Sequence, residues 1–410
     1  MISLKIFVKY QSESVKYLNS KIYILTKLYL HIGTEKTGTT HIQQFLLRNR
    51  EVLLLKGYFV PDFLGEFAHT WLPILTYADN KQDDLTDKEK IYERDNPNSF
   101  KRLKIEELKK AVSLNEDKKW ILSSEHLHAR LNNLEIRRLK SLLSPLFSEI
   151  KVIVYLRNPI EVSISLWFTK VWGGRPIKKL PLPGTEWDYI CNHKRTIKLW
   201  EENFQEKIIP RLFCKRSFFE GNLLEDFLFQ IGINLDKSFE IPENVNQSMG
   251  YAGIRLLSFI NEIIPPAKID LVDSSRVNIE ELIMEAFKDL PKYCPTEEEI
   301  YTYDKYYEDS NKWIKIKYFP DSEFLWENNQ KISENENQNL LTEKEIKATF
   351  KLISNLLNKN QENISRIDDL EKRVKLLQNH IRSYNNSKIW RFSKPLRKIA
   401  DLIKRLSGLN

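Results

Sequence analysis

The chain has 410 residues, 41% of them hydrophobic and 11% aromatic, enough for a large core divided among two or three units. Lys and Arg number 64 against 56 Asp and Glu, a net charge of +8. That mild, interspersed excess suits an anionic cofactor or a membrane surface and does not demand nucleic acid, for which no binding signature is present. Three scattered cysteines, Cys191, Cys214 and Cys294, offer neither metal-ligand spacing nor a disulfide framework. No apolar run approaches the ~18 residues of a membrane span, and the N-terminus lacks the apolar stretch of a secretory signal. A cytoplasmic protein is expected.

In chain order, residues 1–26 hold two β-prone stretches, 5–8 and 21–25, joined by a polar segment. They read as a β-hairpin, a mobile arm or an over-extended gene start. Leu28–Ile32 is an apolar strand. The chain then turns through Gly33–Gly38 and enters a helix at about Thr39. Strand, glycine-bracketed loop and helix N-terminus together point main-chain N–H groups and the positive end of a helix dipole at one spot, which favours a phosphate-like anion. Lys36 adds a cation, and Thr37, Thr39 and Thr40 add hydroxyls. The Gly33-x4-Gly38 spacing invites a Walker A reading, but that motif carries Lys and Ser/Thr directly after its second glycine. Here the lysine stands two residues before that glycine, which argues against an ordinary ATP or GTP hydrolase.

Residues 45–55 continue as a helix ended by Lys56 and Gly57. Trp120–Ser123 is a short strand, followed by Glu125. Lys151–Leu156, a continuous β-branched run, has the character of a central parallel strand. Directly after it come Arg157, Asn158, Pro159 and Glu161, in which Asn158 is the N-cap, Pro159 the first helical residue and Glu161 the partner in a capping box. Arg157 can fork onto a phosphate, and Ser165 lies two turns up that helix. Residues 173–184, with two glycines at one end, a third at the other and three prolines between, read as a long substrate or lid loop. Ile208–Phe213 is a further strand candidate. Strands alternating with helices over 27–330 indicate an α/β domain with a central parallel sheet.

After residue 340 the texture becomes helical, without glycine or proline through 386. Apolar residues at Ile346, Phe350, Ile353, Leu357, Ile364, Ile367, Leu370, Val374, Leu377 and Ile381 recur mostly every three or four positions. Asn360 and the 364–367–370 steps interrupt the register, so residues 340–386 read as a coiled coil or helical hairpin with a discontinuity, or as a helix packed on the main domain. Residues 387–410 form a basic amphipathic tail in which Trp390, Phe392, Leu396, Ile399, Leu402, Ile403 and Leu406 can share a face among seven Lys and Arg. Such a segment docks on anionic lipid or folds back on its own coiled coil.

Gly33-Thr34-Glu35-Lys36-Thr37-Gly38-Thr39-Thr40 resembles the 5′-phosphosulfate loop of sulfotransferases that use 3′-phosphoadenosine-5′-phosphosulfate (PAPS), most closely the bacterial carbohydrate branch. Arg157 followed eight residues later by Ser165 is similar to the 3′-phosphate motif of the same superfamily. The resemblance covers 27–330 in organisation, with only these two motifs sharp. It implies a P-loop-like three-layer fold. PAPS would be bound by Gly33, Thr34, Lys36, Thr37, Gly38, Thr39, Thr40, Arg157 and Ser165, without a metal. Lys36 and Glu125 would be catalytic, the carboxylate taking the acceptor proton, with His126, His128, His31 and His69 as rivals for that task. It further implies transfer to a hydroxyl or amine of a carbohydrate acceptor; Asn244–Ser248 resembles the family more loosely and can be read as a lid over the adenosine, with no residue roles assigned. The tail, from Ser387 through Trp390, Arg391 and Pro395, is similar to tails of bacterial surface-polysaccharide glycosyltransferases. That points to a protein peripheral on the inner face of a membrane; the apolar periodicity of 340–386 separately suits self-association or packing on the main domain. A P-loop-like nucleotide kinase and a non-catalytic scaffold that keeps the fold are the alternatives.

Overall fold

The structure is a computed structural model that describes residues 26–93, 96–204, 208–243, 249–263, 274–326 and 343–386. The expected N-terminal extension, the lid at 244–248 and the basic tail at 387–410 lie outside the described residues.

Five strands form one sheet: β1 (Lys27–His31), β2 (Tyr58–Phe59), β3 (Lys119–Ser123), β4 (Glu149–Leu156) and β5 (Ile209–Leu212). Their order is β2-β3-β1-β4-β5, and every pairing is parallel. The register sets Leu30 of β1 between Leu122 of β3 and Val152 of β4. Parallel strands require helical crossovers and are buried on both faces, as the apolar run in β4 foretold. The two-residue alternation of side chains sorts the core into two layers. Leu28, Leu30, Ile32, Trp120, Leu122, Val152 and Val154 pack on one face, with Ile136, Leu139, Ile197 and Trp200 from the helices Asn133–Leu143 and His193–Phe204. Tyr29, Ile121, Ile153 and Tyr155 pack on the other, with Ile42, Phe45, Leu224 and Phe227 from the helices Thr39–Arg48 and Leu223–Ile231. The molecule is therefore a three-layer α/β protein, as expected.

Pro210 sits within β5, the outermost strand on its side, where a missing N–H costs no ladder bond to a further neighbour. The chain leaves β1 for the far edge at β2, returns to β3 beside β1, then crosses to β4 on β1's other flank. Connections thus diverge around the C-terminal end of β1, the position at which open α/β sheets form a ligand crevice.

Two local expectations are corrected. The helix after the loop does not run unbroken to residue 55. It divides into Thr39–Arg48 and Arg50–Leu55 at Asn49, whose amide donates to the carbonyls of Phe45 and Glu240, each at 2.8 Å. This side chain competes with helix continuation by satisfying a terminal carbonyl. The expected capping box at Asn158 does not form: Asn158 caps the helix by accepting from the Ile160 amide at 3.3 Å, while Glu161 turns to Arg157. A charge-assisted bond to a guanidinium outcompetes one to a neutral amide.

The described residues divide into two compact units. One contains the sheet, with 26–243, 258–263 and 293–326; the other contains 249–257, 274–292 and 343–386. In the second unit the helix Ser274–Phe287 packs on the helix Glu343–Asn386, in which Ala348 and Leu352 are buried. Glu343–Asn386 is a single 44-residue helix, which corrects the helical-hairpin reading.

Candidate active site

Four of the five strands deliver a segment to the same edge of the sheet. The loop 33–38 follows β1, Glu125 follows β3, Arg157 follows β4 and Phe213 follows β5.

The loop is built on left-handed backbone. Gly33, Lys36 and Gly38 have φ of 60°, 68° and 73°. A Cβ on Gly33 would stand 3.0 Å from the Cα of Glu125 and 2.8 Å from the Thr39 methyl. One on Gly38 would meet Leu223 at 2.4 Å and Phe213 at 3.1 Å. Both glycines are thus required by dihedral and by space. Lys36 adopts the left-handed region without being glycine, a conformation that costs about 1 kcal/mol or more and persists at sites where it is used. Arg157 supports it by donating from Nη1 to the Lys36 carbonyl at 3.0 Å. Thr34 donates its hydroxyl to the Tyr155 carbonyl at 2.8 Å, and Thr37 to the Thr34 carbonyl at 2.7 Å. These two hydroxyl protons, expected to face a ligand, instead tie the loop to itself and to β4.

The main-chain N–H groups remain. Among the described residues, no amide from Gly33 to Thr40 donates to another protein group. The helix Thr39–Arg48 begins at Gly38 with no side-chain cap and no acidic residue in its first turn. Of these residues Gly33, Thr34, Thr37 and Thr39 are buried, and buried N–H groups are nearly always partnered, so this loop with a helix dipole behind it fits an anion.

Arg157 is held from four directions. Its Nε donates to Glu161 at 2.8 Å, its Nη1 to Lys36, and its guanidinium lies 5.5 Å from the Phe213 ring centre. Its carbonyl accepts from His193 Nε2 at 2.6 Å. Two of its ~five N–H donors are committed to the protein by these bonds, leaving the rest for a ligand. Ser165 stands one turn beyond Glu161 on the same helix face and is half-exposed.

Glu125 does not cap the short helix His126–Arg130 that it precedes. Its carboxylate accepts from Gln43 Nε2 at 2.6 Å, a bond between β3's end and the helix after the loop. His31, His69 and His128 are buried and engaged with Ser123, with the Ser123 backbone and Pro61, and with Thr196. Burial pushes them down to about 3, about 4 and about 3 respectively, so each is neutral and structural. His126 lies beside Glu125, with Nε2 4.0 Å from Oε1. Its Nδ1 accepts from Arg130 Nε at 3.2 Å, and an arginine only donates. The neutral ring therefore carries its proton on Nε2, towards Glu125, and has no free lone pair on that side. Of the five candidates, Glu125 alone places a carboxylate against the loop.

Sequence reasoning missed Glu35, Gln43 and Lys170 as members of this site. Glu35 is half-buried, and burial raises its pKa against the opposing effects of Lys170 and Lys36. Burial likewise lowers the pKa of Lys36, which Glu35 opposes and Lys170 and Arg157 reinforce. Glu35 was visible inside the loop; Gln43 and Lys170 carried no signal, because only the packing of two helices over the strand ends brings them there. Among the described residues no group of three or more His, Cys, Asp and Glu is placed to hold a metal ion. A cavity of about 750 Å3 lies at the opposite edge of the sheet, between Glu149, Ile209, Gln230 and Phe319.

No family model matches the chain, and no curated protein matches it. Among solved structures it is similar to a sulfotransferase from Alicyclobacillus acidocaldarius, at 12% identity over 57% of this chain and 92% of that one, with a TM-score of 0.33. The architecture itself defines the class: a parallel α/β protein with a left-handed glycine-bracketed loop and a charged cluster at the C-terminal edge of its sheet.

Proposed function

We propose that this protein transfers a sulfuryl group from PAPS to a hydroxyl or amine of a carbohydrate acceptor. The observation that carries the reading is the bond from Arg157 to the Lys36 carbonyl, which couples two anion sites on adjacent strand ends. PAPS has two anionic ends of unequal kind and supplies the activated sulfuryl group. The residues present fit it: uncommitted amides of 33–40 and Lys36 for the 5′-phosphosulfate, the remaining donors of Arg157 with Ser165 for the 3′-phosphate. Lys36 and the amides stabilise charge on the departing phosphate oxygen by preorganised electrostatics. Glu125 takes the acceptor proton, and Gln43 fixes the orientation of its carboxylate.

Isothermal calorimetry tests the donor. Adenosine 3′,5′-bisphosphate should bind without added metal, and Lys36→Ala should abolish transfer of sulfate with the fold intact. Tight binding of ATP with Mg2+ and none of the bisphosphate would favour a kinase and sink the proposal. The acceptor we assign to a surface polysaccharide or lipid-linked glycan, on the strength of the tail's resemblance, with 387–410 docking on the anionic inner leaflet. Co-sedimentation with anionic liposomes should be lost on deleting 387–410; unchanged co-sedimentation would refute that docking.

A further inference from the structure

The helix Glu343–Asn386 presents an apolar seam that its own unit leaves in solvent. Every described side chain from residue 369 to 379 is exposed, including Leu370 at 52%, Val374 at 52% and Leu377 at 61%. Large apolar residues exposed together along a helix mark an interaction surface. The sequence frames them. With Val374 at an a position, the a series is Ile353, Asn360, Ile367, Val374 and Ile381, and the d series is Leu356, Asn363, Leu370, Leu377 and Tyr384. The frame is continuous once Ile364 is set outside it and the two asparagines inside.

β-Branched residues at a with Leu at d favour two parallel strands, and a polar Asn at a fixes register at some cost in stability. The flanking charges agree. Arg366 falls at g and Glu371 at the following e, both exposed. In a parallel pair in register, g of one chain faces the next e of the other, so Arg366 meets Glu371 twice across the seam. We propose that a second copy of this chain occupies the seam, forming a parallel two-stranded coiled coil through 353–384. The inference does not depend on the reaction assigned to the sheet domain.

Sedimentation of the full chain should give a dimer. Val374→Asp with Leu377→Asp should weaken it by about 100-fold or more, since each buries an unpaired charge. Leu376→Lys, at an exposed position outside the seam, should leave the assembly unchanged. Arg366→Glu and Glu371→Arg should each weaken the dimer, and mixing the two variants should restore it as a heterodimer. A monomeric wild-type chain, a trimer, a dimer indifferent to the seam substitutions, or mixing without preferential pairing would each overturn the proposal.

Discussion

Arg157 donates to the main-chain carbonyl of Lys36 at 3.0 Å, so the residue at the end of β4 fixes the backbone of the loop after β1. Removing that guanidinium acts on both of the proposed anion sites together. Arg157→Ala should weaken bisphosphate binding by about 10- to 100-fold, the range for a charge-assisted bond and its loop support. Arg157→Lys should recover little, because a lysine cannot serve Glu161, Lys36 and a phosphate from one planar fork. Calorimetry on the three proteins checks this; equal affinities would break the link between the two sites.

Glu125 and His126 are separable by substitution. Glu125→Gln keeps a partner for Gln43 and removes the basic oxygen, so kcat should fall by about 10^2- to 10^4-fold with bisphosphate affinity little changed. His126→Gln should cost far less, because its ring already spends Nδ1 on Arg130. Sulfate-transfer assays rank the two; a larger loss at His126 would reverse the assignment.

Gly38→Ala combines a φ of 73° with a Cβ 2.4 Å from Leu223. The expected loss is about 1–3 kcal/mol of stability, measured by denaturant unfolding. Leu223→Ala in the same background should recover part of the steric cost and none of the dihedral cost.

Four buried histidines make the fold acid-sensitive. His31 and His128 lie at about 3, and His69 and His193 at about 4, all held down by burial. The unfolded chain binds their protons near pH 6.5 and the folded one does not. The unfolded state is thus the better proton binder below that pH, and stability should be complete above ~6.5 and fall as pH drops towards 4. Each histidine contributes a slope of up to about 1.4 kcal/mol per pH unit in that window. Urea unfolding between pH 7 and pH 5 measures the slope, and a flat profile would contradict the neutral burial.

Local sequence determined four of the five strands, the loop and the helix starts at Thr39 and Pro159; β2, only two residues long, carried no readable run. Continuous β-branched runs, glycines bracketing a lysine, and an Asn-Pro step each act within a few residues, so their consequences are readable without the fold. The same locality placed Lys36 and Arg157 at strand ends. Which strand ends lie side by side was decided only by the tertiary structure, since strand order follows from packing both sheet faces and from no single segment. That order set Glu125 against Gln43, and Lys170 against Glu35 and Lys36. It also turned the hydroxyls of Thr34 and Thr37 inward and three histidines into core residues, because burial, invisible in a linear motif, fixes which polar atoms are left to meet a ligand.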